Sequence, residues 1–359
     1  MISYDGWDRE YAENKDAYIE IFDIFMKQLN YENAEDFEKQ IAEYVGRKHV
    51  VSVACATDAL GFSLMSHGIG PGAEVLVTDF SWISSSSCIS MTGATPVFCD
   101  IDLDSYHISL DSIKRMVSPR TKAIIYTHLF GNMVDVTEII EFCKENKIFF
   151  IEDAAQSLGS SYNKVKAGSI GHCSSFSFNT NKVIAGINGG GVFMTDNEDI
   201  ANIVKKLRRH GKDKDFEMIG YNSRMYDLNS MIIKQRMKNI VETQKTRQEI
   251  AQKYNEAFKD LPVITQKPSP ILDHNFHKYT VRFENKDIRK KVKNALGLSI
   301  HYERPLSENS MYEHLKYRKD DCKNAKLVAD TIVSLPIHAW LKEEEINKII
   351  DTVKTNFSA

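Results

Sequence analysis

Residues 49–80 read HVVSVACATDALGFSLMSHGIGPGAEVLVTDF. Two short apolar runs, HVVSVA and AEVLVTDF, flank a segment whose apolar residues recur every three or four positions. That recurrence is typical of a helix, and short runs rich in β-branched residues are typical of strands. A strand, a helix and a second strand in this order predict one crossover unit of a parallel sheet that is covered on both faces.

The same alternation continues from about residue 48 to residue 195. The further strand candidates are ATPVFCDI, TKAIIYTHLF, KIFFIED, HCSSFSF and GGGVFMT. Together with the first two runs they predict an α/β large domain, residues 1–240, in which helices flank a mostly parallel seven-stranded sheet.

The last third of the chain has a different pattern. A stretch without Gly or Pro at 228–259, LNSMIIKQRMKNIVETQKTRQEIAQKYNEAFK, predicts one long helix that leads away from the sheet. KYTVRF and LSIHY predict short strands, and KEEEINKIIDTVKTNF predicts a terminal helix. We expect a smaller C-terminal α/β domain, residues 241–359, joined to the first by the long helix.

Composition narrows the possible functions. The net charge of -3 gives no reason to expect nucleic acid or an anionic membrane as a partner. No apolar run approaches the roughly 20 residues of a membrane span, and the acidic start MISYDGWDREYAENKD is unlike a secretory signal. Six cysteines without a C-x-x-C pair indicate reduced thiols in a cytoplasm rather than disulfides or zinc ligands. We therefore expect a cytoplasmic protein without a metal site.

Open α/β sheets bind ligands beyond the carboxyl ends of their strands. Chemically useful side chains follow several predicted strands at this edge: Ala56, Thr57, Trp82, Asp153, Gln156, Ser177 and Lys182. Because these strands end at one rim, the sequence predicts that the side chains converge there.

Lys182, in FSFNTNKVIAGINGGGVF (176–193), decides which chemistry the rim supports. A phosphate-binding P-loop has its glycines before the lysine, whereas the main cluster here follows it, so we expect a tight turn instead. No G-x-G-x-x-G opens a helix after a strand either, which disfavours a dinucleotide site. A lysine at a strand end can form a Schiff base with an aldehyde cofactor. The alternative is a solvated loop lysine, the commoner state of a single lysine.

Asp153 favours the Schiff base. It follows the apolar run IFFI, where an unpaired carboxylate is costly, and it could pair with the ring nitrogen of pyridoxal 5′-phosphate (PLP). Each candidate also has a plain structural alternative: a helix N-cap for Asp153 and Thr57, a core or interface residue for Trp82, and a strand serine for Ser177. Five such coincidences at one rim favour a cofactor site.

Several longer motifs resemble successive signatures of the DegT/DnrJ/StrS family. They are CATDAL, PGAEVLVTDFSWISSS, GATPVFCDID, PRTKAIIYTHLFGN, IEDAAQSLGSSY, AGSIGHCSSFSFNTNK, GYNSRM and VSLPIHAWLKEEE. The resemblance is collinear from about residue 36 to the C-terminus. It implies a fold-type I PLP enzyme, and most members of this family are aminotransferases that act on nucleotide-linked keto-sugars.

The resemblance also implies a role for each candidate. Lys182 would hold PLP as a Schiff base and move protons at the substrate carbon, while Asp153 would bind the pyridine nitrogen. The remaining cofactor contacts would be Gln156 on the ring hydroxyl, Trp82 stacked on the ring, and Ala56, Thr57 and Ser177 on the phosphate.

The resemblance implies a homodimer as well. Asn222, in GYNSRM, would reach the phosphate of the cofactor in the neighbouring subunit. His301 and Tyr302, in HYERPL, match a substrate-side loop of the family. Three features depart from the family pattern: Cys55-Ala56-Thr57 replaces S-G-T, Gly189 stands where relatives usually carry an acidic residue, and MKQLNYENAEDFEKQ replaces a glycine-rich segment before the first helix.

The expected reaction moves an amino group from glutamate to a nucleotide-linked keto-deoxysugar, with the keto group at C3 or C4. Its products would be deoxyamino sugars for surface glycans such as the lipopolysaccharide O-antigen. A keto-cyclitol acceptor stays open as an alternative. A PLP-dependent sugar dehydratase is disfavoured, because the related dehydratases carry histidine at the position of Lys182.

Overall fold

The computed structural model describes residues 5–27, 32–266, 271–315 and 320–357. Its strands, in chain order, are β1 (His49–Val53), β2 (Glu74–Thr78), β3 (Thr95–Cys99), β4 (Thr121–Thr127), β5 (Phe149–Asp153), β6 (Ser161–Tyr162), β7 (Val165–Lys166), β8 (Cys173–Ser177), β9 (Gly191–Thr195), β10 (Val263–Thr265), β11 (Leu272–Asp273), β12 (Tyr279–Phe283) and β13 (Ile332–Leu335).

The α-helices of the described ranges alternate with these strands and then dominate the C-terminal part. They are α1 (Trp7–Lys27), α2 (Glu32–Val45), α3 (Ala56–Ser66), α4 (Ser84–Met91), α5 (Leu110–Met116), α6 (Thr137–Glu145), α7 (Glu198–Leu207), α8 (Asp227–Met237), α9 (Ile240–Phe258), α10 (Lys286–Leu296), α11 (Lys323–Thr331) and α12 (Glu343–Thr355).

The large sheet has the strand order β1-β9-β8-β5-β4-β2-β3. Only β9 runs antiparallel to its neighbours in this sheet, and β2 to β5 and β8 pair in parallel. The strands are almost wholly buried, as continuous β-branched runs require when helices cover both faces of a sheet. The predicted mostly parallel seven-stranded sheet flanked by helices is confirmed.

A smaller antiparallel sheet, β10-β12-β13, lies in the C-terminal part of the chain. Its core contains Tyr254 and Phe258 of α9, Val281 and Phe283 of β12, and Ile349 of α12. A third sheet, β11-β6-β7, joins the two parts of the chain, because β11 follows α9 in sequence and pairs with β6.

The single helix predicted over 228–259 is wrong. Two helices, α8 and α9, occupy this stretch, and Lys238 and Asn239 separate them. The backbone N–H groups of both residues bond to carbonyls three positions back, which tightens the chain before α9 begins. The reason is tertiary: α8 packs against α1 and α2, whereas α9 buries residues in the C-terminal core.

The strand predicted at LSIHY is also absent: residues 298–300 have no regular secondary structure, and His301 and Tyr302 lie in a turn. Its alternate apolar residues, Ile300 and Tyr302, pack into a cluster with Phe80 and Phe130, which lie far away in the sequence. The alternation is therefore satisfied by contact between the two parts of the chain instead of by sheet pairing. Within the described ranges, no helix is both long enough and apolar enough to cross a membrane.

Candidate active site

A cavity of about 210 Å³ lies at the carboxyl ends of the central strands. Nine of the ten residues singled out in the sequence line it: Ala56, Thr57, Trp82, Asp153, Gln156, Ser177, Lys182, His301 and Tyr302. Asn222 does not. The structure therefore brings these nine residues together around one cavity.

Lys182 follows β8 on a short turn, in which its backbone N–H donates to the carbonyl of Asn179 at 2.9 Å. The side chain is half-buried and its amine faces the cavity. Burial lowers the pKa of this amine to about 8, and the attraction of Asp153 opposes that fall. An appreciable share of a lysine with this pKa is neutral near pH 7, and the neutral amine is the nucleophile.

Asp153 is the last residue of β5 and is buried. Its Oδ2 accepts hydrogen bonds from the hydroxyls of Ser85 (3.0 Å) and Thr127 (3.1 Å), and its Oδ1 accepts from the backbone N–H of Ala155 (3.1 Å). No helix follows Asp153, so the alternative role of helix N-cap does not apply. Three donors fix the orientation of a carboxylate that shares a closed space with an amine.

The start of α3 also lines the cavity. Ala56 is the first residue of this helix, and the Thr57 hydroxyl donates to the Ser84 hydroxyl at 2.9 Å. Ser177, at the end of β8, accepts from the backbone N–H of Asn179 at 3.3 Å. Helix N–H groups together with hydroxyls form a site suited to a phosphate.

Aromatic side chains lie at the mouth. Trp82 is 58% exposed, and its ring centroid lies 6.1 Å from that of Tyr302. Tyr302 is held in turn by Gln156, whose Nε2 donates to the phenol oxygen at 3.1 Å. An indole this exposed has one face available for a planar ligand.

His301 lines the cavity, whereas Asn222 does not. His301 is a partner of the Ser334 hydroxyl at 3.1 Å, and burial, together with the positive charges of Lys278 and Lys182, lowers its pKa to about 3. A neutral imidazole therefore lines the cavity. Asn222 is exposed, forms a backbone bridge with Arg209, and lies outside the cavity of its own chain.

The glycine cluster after Lys182 forms a turn that leads into β9, as predicted. Asn229 of α8 holds this turn, since its Oδ1 accepts from Ile187 N–H (2.8 Å) and its Nδ2 donates to the Gly189 carbonyl (2.7 Å). Gly189 has φ +82°, and a Cβ there would meet only the Ala54 carbonyl, at 4.0 Å. The backbone conformation, and not crowding, favours glycine at this position.

Sequence reasoning missed several lining residues: Ser81, Ser84, Ser85, Asn179, Asn181, His277 and Lys278. Ser85 follows the predicted strand AEVLVTDF and Thr127 lies within the predicted strand TKAIIYTHLF, at the end of β4, so a fuller inventory of the rim could have found these partners of Asp153. His277 and Lys278 precede β12 of the smaller sheet, and no local signal connects them to this rim.

The side chains fit PLP on chemical grounds. The cavity offers a nucleophilic amine, a buried carboxylate for a protonated ring nitrogen, a helix start with hydroxyls for the phosphate, and an indole for the ring. The described residues contain no cluster of three or more His, Cys, Asp or Glu able to hold a metal ion. The roles of the individual residues stay predictions.

Known proteins are similar to this chain in both sequence and fold. GDP-perosamine synthase of Caulobacter vibrioides is 33% identical over 327 residues, which are 88% of this chain and 87% of that protein. The UDP-2-acetamido-2-deoxy-3-oxo-D-glucuronate aminotransferase of Pseudomonas aeruginosa is 31% identical over 329 residues, 89% of each chain. A solved DegT/DnrJ/EryC1/StrS aminotransferase from Brucella abortus superposes with a TM-score of 0.94, at 28% identity over 99% of both chains.

The family resemblance seen in the motifs is thereby confirmed, and with it the fold-type I architecture. The model of the DegT/DnrJ/EryC1/StrS aminotransferase family matches residues 12–354, nearly the whole chain. The protein belongs to the DegT/DnrJ/EryC1/StrS aminotransferase family.

Proposed function

We propose that the protein is a PLP-dependent aminotransferase that moves an amino group from glutamate to a nucleotide-linked keto-sugar. The observation that carries this proposal is that Lys182 and Asp153 line one cavity, where Asp153 attracts the amine of Lys182. An amine with a lowered pKa and a fixed carboxylate are the two groups that a pyridoxal aldehyde needs from its protein.

The names of the relatives support the acceptor class. One is a GDP-perosamine synthase and another acts on a UDP-linked 3-oxo sugar, so the nucleotide differs between proteins of similar sequence. What their names share is an amino sugar or keto-sugar attached to a nucleoside diphosphate. We assign that class to this chain, with the keto group at C3 or C4.

Two side chains would do most of the chemistry. PLP supplies, when bound, an electron sink that makes the C–H bond of the substrate carbon acidic. Lys182 would bind the cofactor aldehyde and then move the proton at that carbon, for which a pKa of about 8 is suitable near neutral pH. Asp153, fixed by Ser85, Thr127 and Ala155, would keep the ring nitrogen protonated.

The remaining contacts follow the same geometry. Gln156 lines the same cavity as Asp153 and would bind the ring hydroxyl, and Trp82 would stack on the ring. Ala56, Thr57 and Ser177 would bind the phosphate. His301 and Tyr302, both lining the cavity, would contact the substrate.

We also propose a homodimer. Asn222 is exposed and lies outside the cavity of its own chain, which leaves it available to a second copy. It would reach the cofactor phosphate of that copy. Asn222→Ala should then weaken PLP retention, whereas Asn146→Ala, at another exposed asparagine, should not. Equal PLP affinity in the two variants would refute the contact between subunits.

The division of the chain near residue 240 is likewise proposed, with residues 1–240 as the large domain and 241–359 as the small one. The C-terminal core supports it, because its buried members begin at Ile250 and end at Val353. A cytoplasmic location is supported by all six cysteines being unpaired.

A colour assay tests the reaction. The protein purified with PLP should be yellow, lose that colour with glutamate, and regain it with a keto-sugar nucleotide. Lys182→Ala should abolish turnover, and Lys122→Ala, at an exposed lysine of β4, should leave it unchanged. If Lys182→Ala kept the full rate, the proposed chemistry would be wrong. A panel of 3-keto and 4-keto nucleotide sugars would then identify the acceptor.

A further inference from the structure

An arginine of α8 holds the loop that follows Lys182. Arg236 Nη1 donates to the backbone carbonyl of Ala185, three residues after Lys182, at 2.7 Å. Ala185 is fully buried, so its carbonyl cannot turn to water and needs a donor from the protein. Arg236 is not among the described residues that line the cavity of Lys182, and the chemistry proposed above does not use it.

The same helix bonds to this loop at two further points. Asn229 lies seven residues before Arg236, which is about two helical turns, so both side chains leave the same face of α8. The Asn229 amide bonds to Ile187 and Gly189, as described above. With the bond from Arg236, α8 therefore holds the loop at three positions.

A buried carboxylate of the N-terminal helix fixes the orientation of Arg236. Glu10 of α1 accepts from Arg236 Nη2 at 2.9 Å and from Nε at 3.1 Å, and the Tyr18 hydroxyl also donates to this carboxylate. The centre of the Trp7 ring lies 4.3 Å from the guanidinium carbon. Because a bidentate pair and a stacked ring fix the plane of the guanidinium, its remaining nitrogen keeps its direction toward Ala185.

Stability alone is a poor explanation for this ion pair. The side chains of Glu10 and Arg236 are only 3% and 13% exposed. Removing two charges from water offsets most of their mutual attraction, so a buried pair contributes little net stability. An apolar pair could fill the same volume, but it could not donate to the Ala185 carbonyl. The contact with the loop is therefore the feature that requires an arginine.

Arg9, the residue before Glu10, makes a similar set of contacts elsewhere. Its Nη1 and Nη2 donate to the two carboxylate oxygens of Glu345 in α12 at 2.6 and 2.8 Å. Its Nη1 also donates to the Trp340 carbonyl at 2.7 Å. Arg9 thus anchors α1 through a carboxylate and a backbone carbonyl, as Arg236 does, but its carbonyl partner is not in the loop after Lys182.

We propose that Arg236, fixed by Glu10, is a positioning residue for Lys182. Its bond to Ala185 sets the loop that places the Lys182 amine in the cavity. The inference rests on the proposed function only for its effect on cofactor chemistry, because the placement of the amine can be measured without cofactor or substrate.

The first test compares Arg236→Gln with the wild type and with Arg9→Gln, all as full-length chains. Acetylation of Lys182 against pH reports the pKa of its amine, which burial lowers from 10.5 to about 8. A loosened loop admits water to the amine, so Arg236→Gln should raise the midpoint by about one pH unit. In Arg9→Gln, which also loses an ion pair of α1, the midpoint should not move. Arg236→Lys keeps the charge and should recover part of the shift.

Backbone hydrogen exchange gives a second readout, measured with and without bound PLP. The N–H of Gly186, the residue after Ala185, donates to the Phe178 carbonyl at 2.7 Å and should exchange slowly in the wild type. We expect exchange at this amide to accelerate roughly tenfold or more in Arg236→Gln, because local opening of the loop becomes easier. It should keep the wild-type rate in Arg9→Gln.

A general structural role gives different results. If Arg236→Gln loses stability but keeps the wild-type midpoint and the wild-type exchange at Gly186, or if Arg9→Gln changes both equally, Arg236 does not position Lys182. Should Arg236→Gln fail to fold, the double variant Glu10→Gln/Arg236→Gln, which leaves no unpaired buried charge, is measured in its place, and wild-type values there overturn the inference. A chain that never binds PLP would refute the proposed function, while acetylation and exchange would still report on the loop.

Discussion

The amine of Lys182 in the cofactor-free protein should titrate near pH 8, whereas the ordinary value for lysine is 10.5. Burial is the larger cause, and the attraction of Asp153 offsets part of it. A shift of about 2.5 pH units makes about 10% of the amine neutral at pH 7, against about 0.03% for an ordinary lysine. At pH 7, Lys182 should therefore react with an uncharged amine-acylating reagent about 300-fold faster than an exposed lysine of equal intrinsic reactivity.

Trace labelling with acetic anhydride measures this directly. Acetylation of Lys182 is followed by mass spectrometry from pH 6 to pH 11, and the same lysine in the urea-unfolded chain is the matched control. We expect a midpoint near 8 in the folded protein. Asp153→Asn should move the midpoint lower still, because it removes an attraction that favours the ammonium form. A folded midpoint at or above 10, or an upward shift in Asp153→Asn, would refute the reasoning.

The same shift predicts a change in stability. The folded pKa is below the unfolded one, so the unfolded chain binds more protons between pH 8 and 10.5. The free energy of unfolding should rise with pH across this window, and the cost of burying the ammonium is fully present below pH 8. Lys182→Met should therefore stabilise the cofactor-free protein at pH 7, by up to about 3 kcal/mol in urea unfolding. No gain, or a gain that persists above pH 10.5, would contradict this account.

Three further substitutions test the residues that support the site. Gly191→Ala would place a methyl group 2.4 Å from the carbonyl carbon of Cys55 at the start of α3. We therefore expect PLP affinity to fall roughly tenfold or more in a fluorescence titration, and unchanged affinity would show that this helix start does not bind the phosphate. Asn229→Ala removes both hydrogen bonds to the loop after Lys182 and should cost about 1–3 kcal/mol in urea unfolding, while Asn229→Asp, which keeps the acceptor, should cost less. Arg247→Met leaves two buried carbonyls without their donor. It should lower the free energy of unfolding by about 2–4 kcal/mol in thermal unfolding. An equal loss in Lys245→Met, at an exposed lysine on the same helix, would exclude this cause.

Much of the seven-stranded sheet could be predicted from sequence because its signals are local. A buried parallel strand needs a continuous apolar run, and the helix that follows needs a three- to four-residue recurrence, so both can be read within about twenty residues. The rim residues share this property. Asp153 and Ser177 each end a strand, and parallel strands bring their ends together whatever the details of packing.

Predictions were wrong where tertiary packing, and not the local pattern, sets the structure of a segment. The stretch 228–259 has helical composition throughout, yet it breaks at Lys238 and Asn239 because α8 packs with α1 and α2 while α9 contributes to the C-terminal core. LSIHY alternates like a strand, but Ile300 and Tyr302 find their apolar partners across the chain at Phe80 and Phe130. Periodicity shows that one face of a segment is buried, but it does not identify the residues against which that face packs.

The sequence by itself determined the sheet, the family, and the set of side chains from Ala56 to Lys182 that could hold a cofactor. Only the tertiary structure decided which other residues lie next to those side chains. It placed Ser85 and Thr127 on Asp153, and it brought Lys278 from the start of β12 into the cavity of Lys182. Ser85 lies 68 positions from Asp153, and Lys278 lies still further in sequence from Lys182. Such residues meet only when separate elements pack together, and the local pattern of each segment does not record that packing.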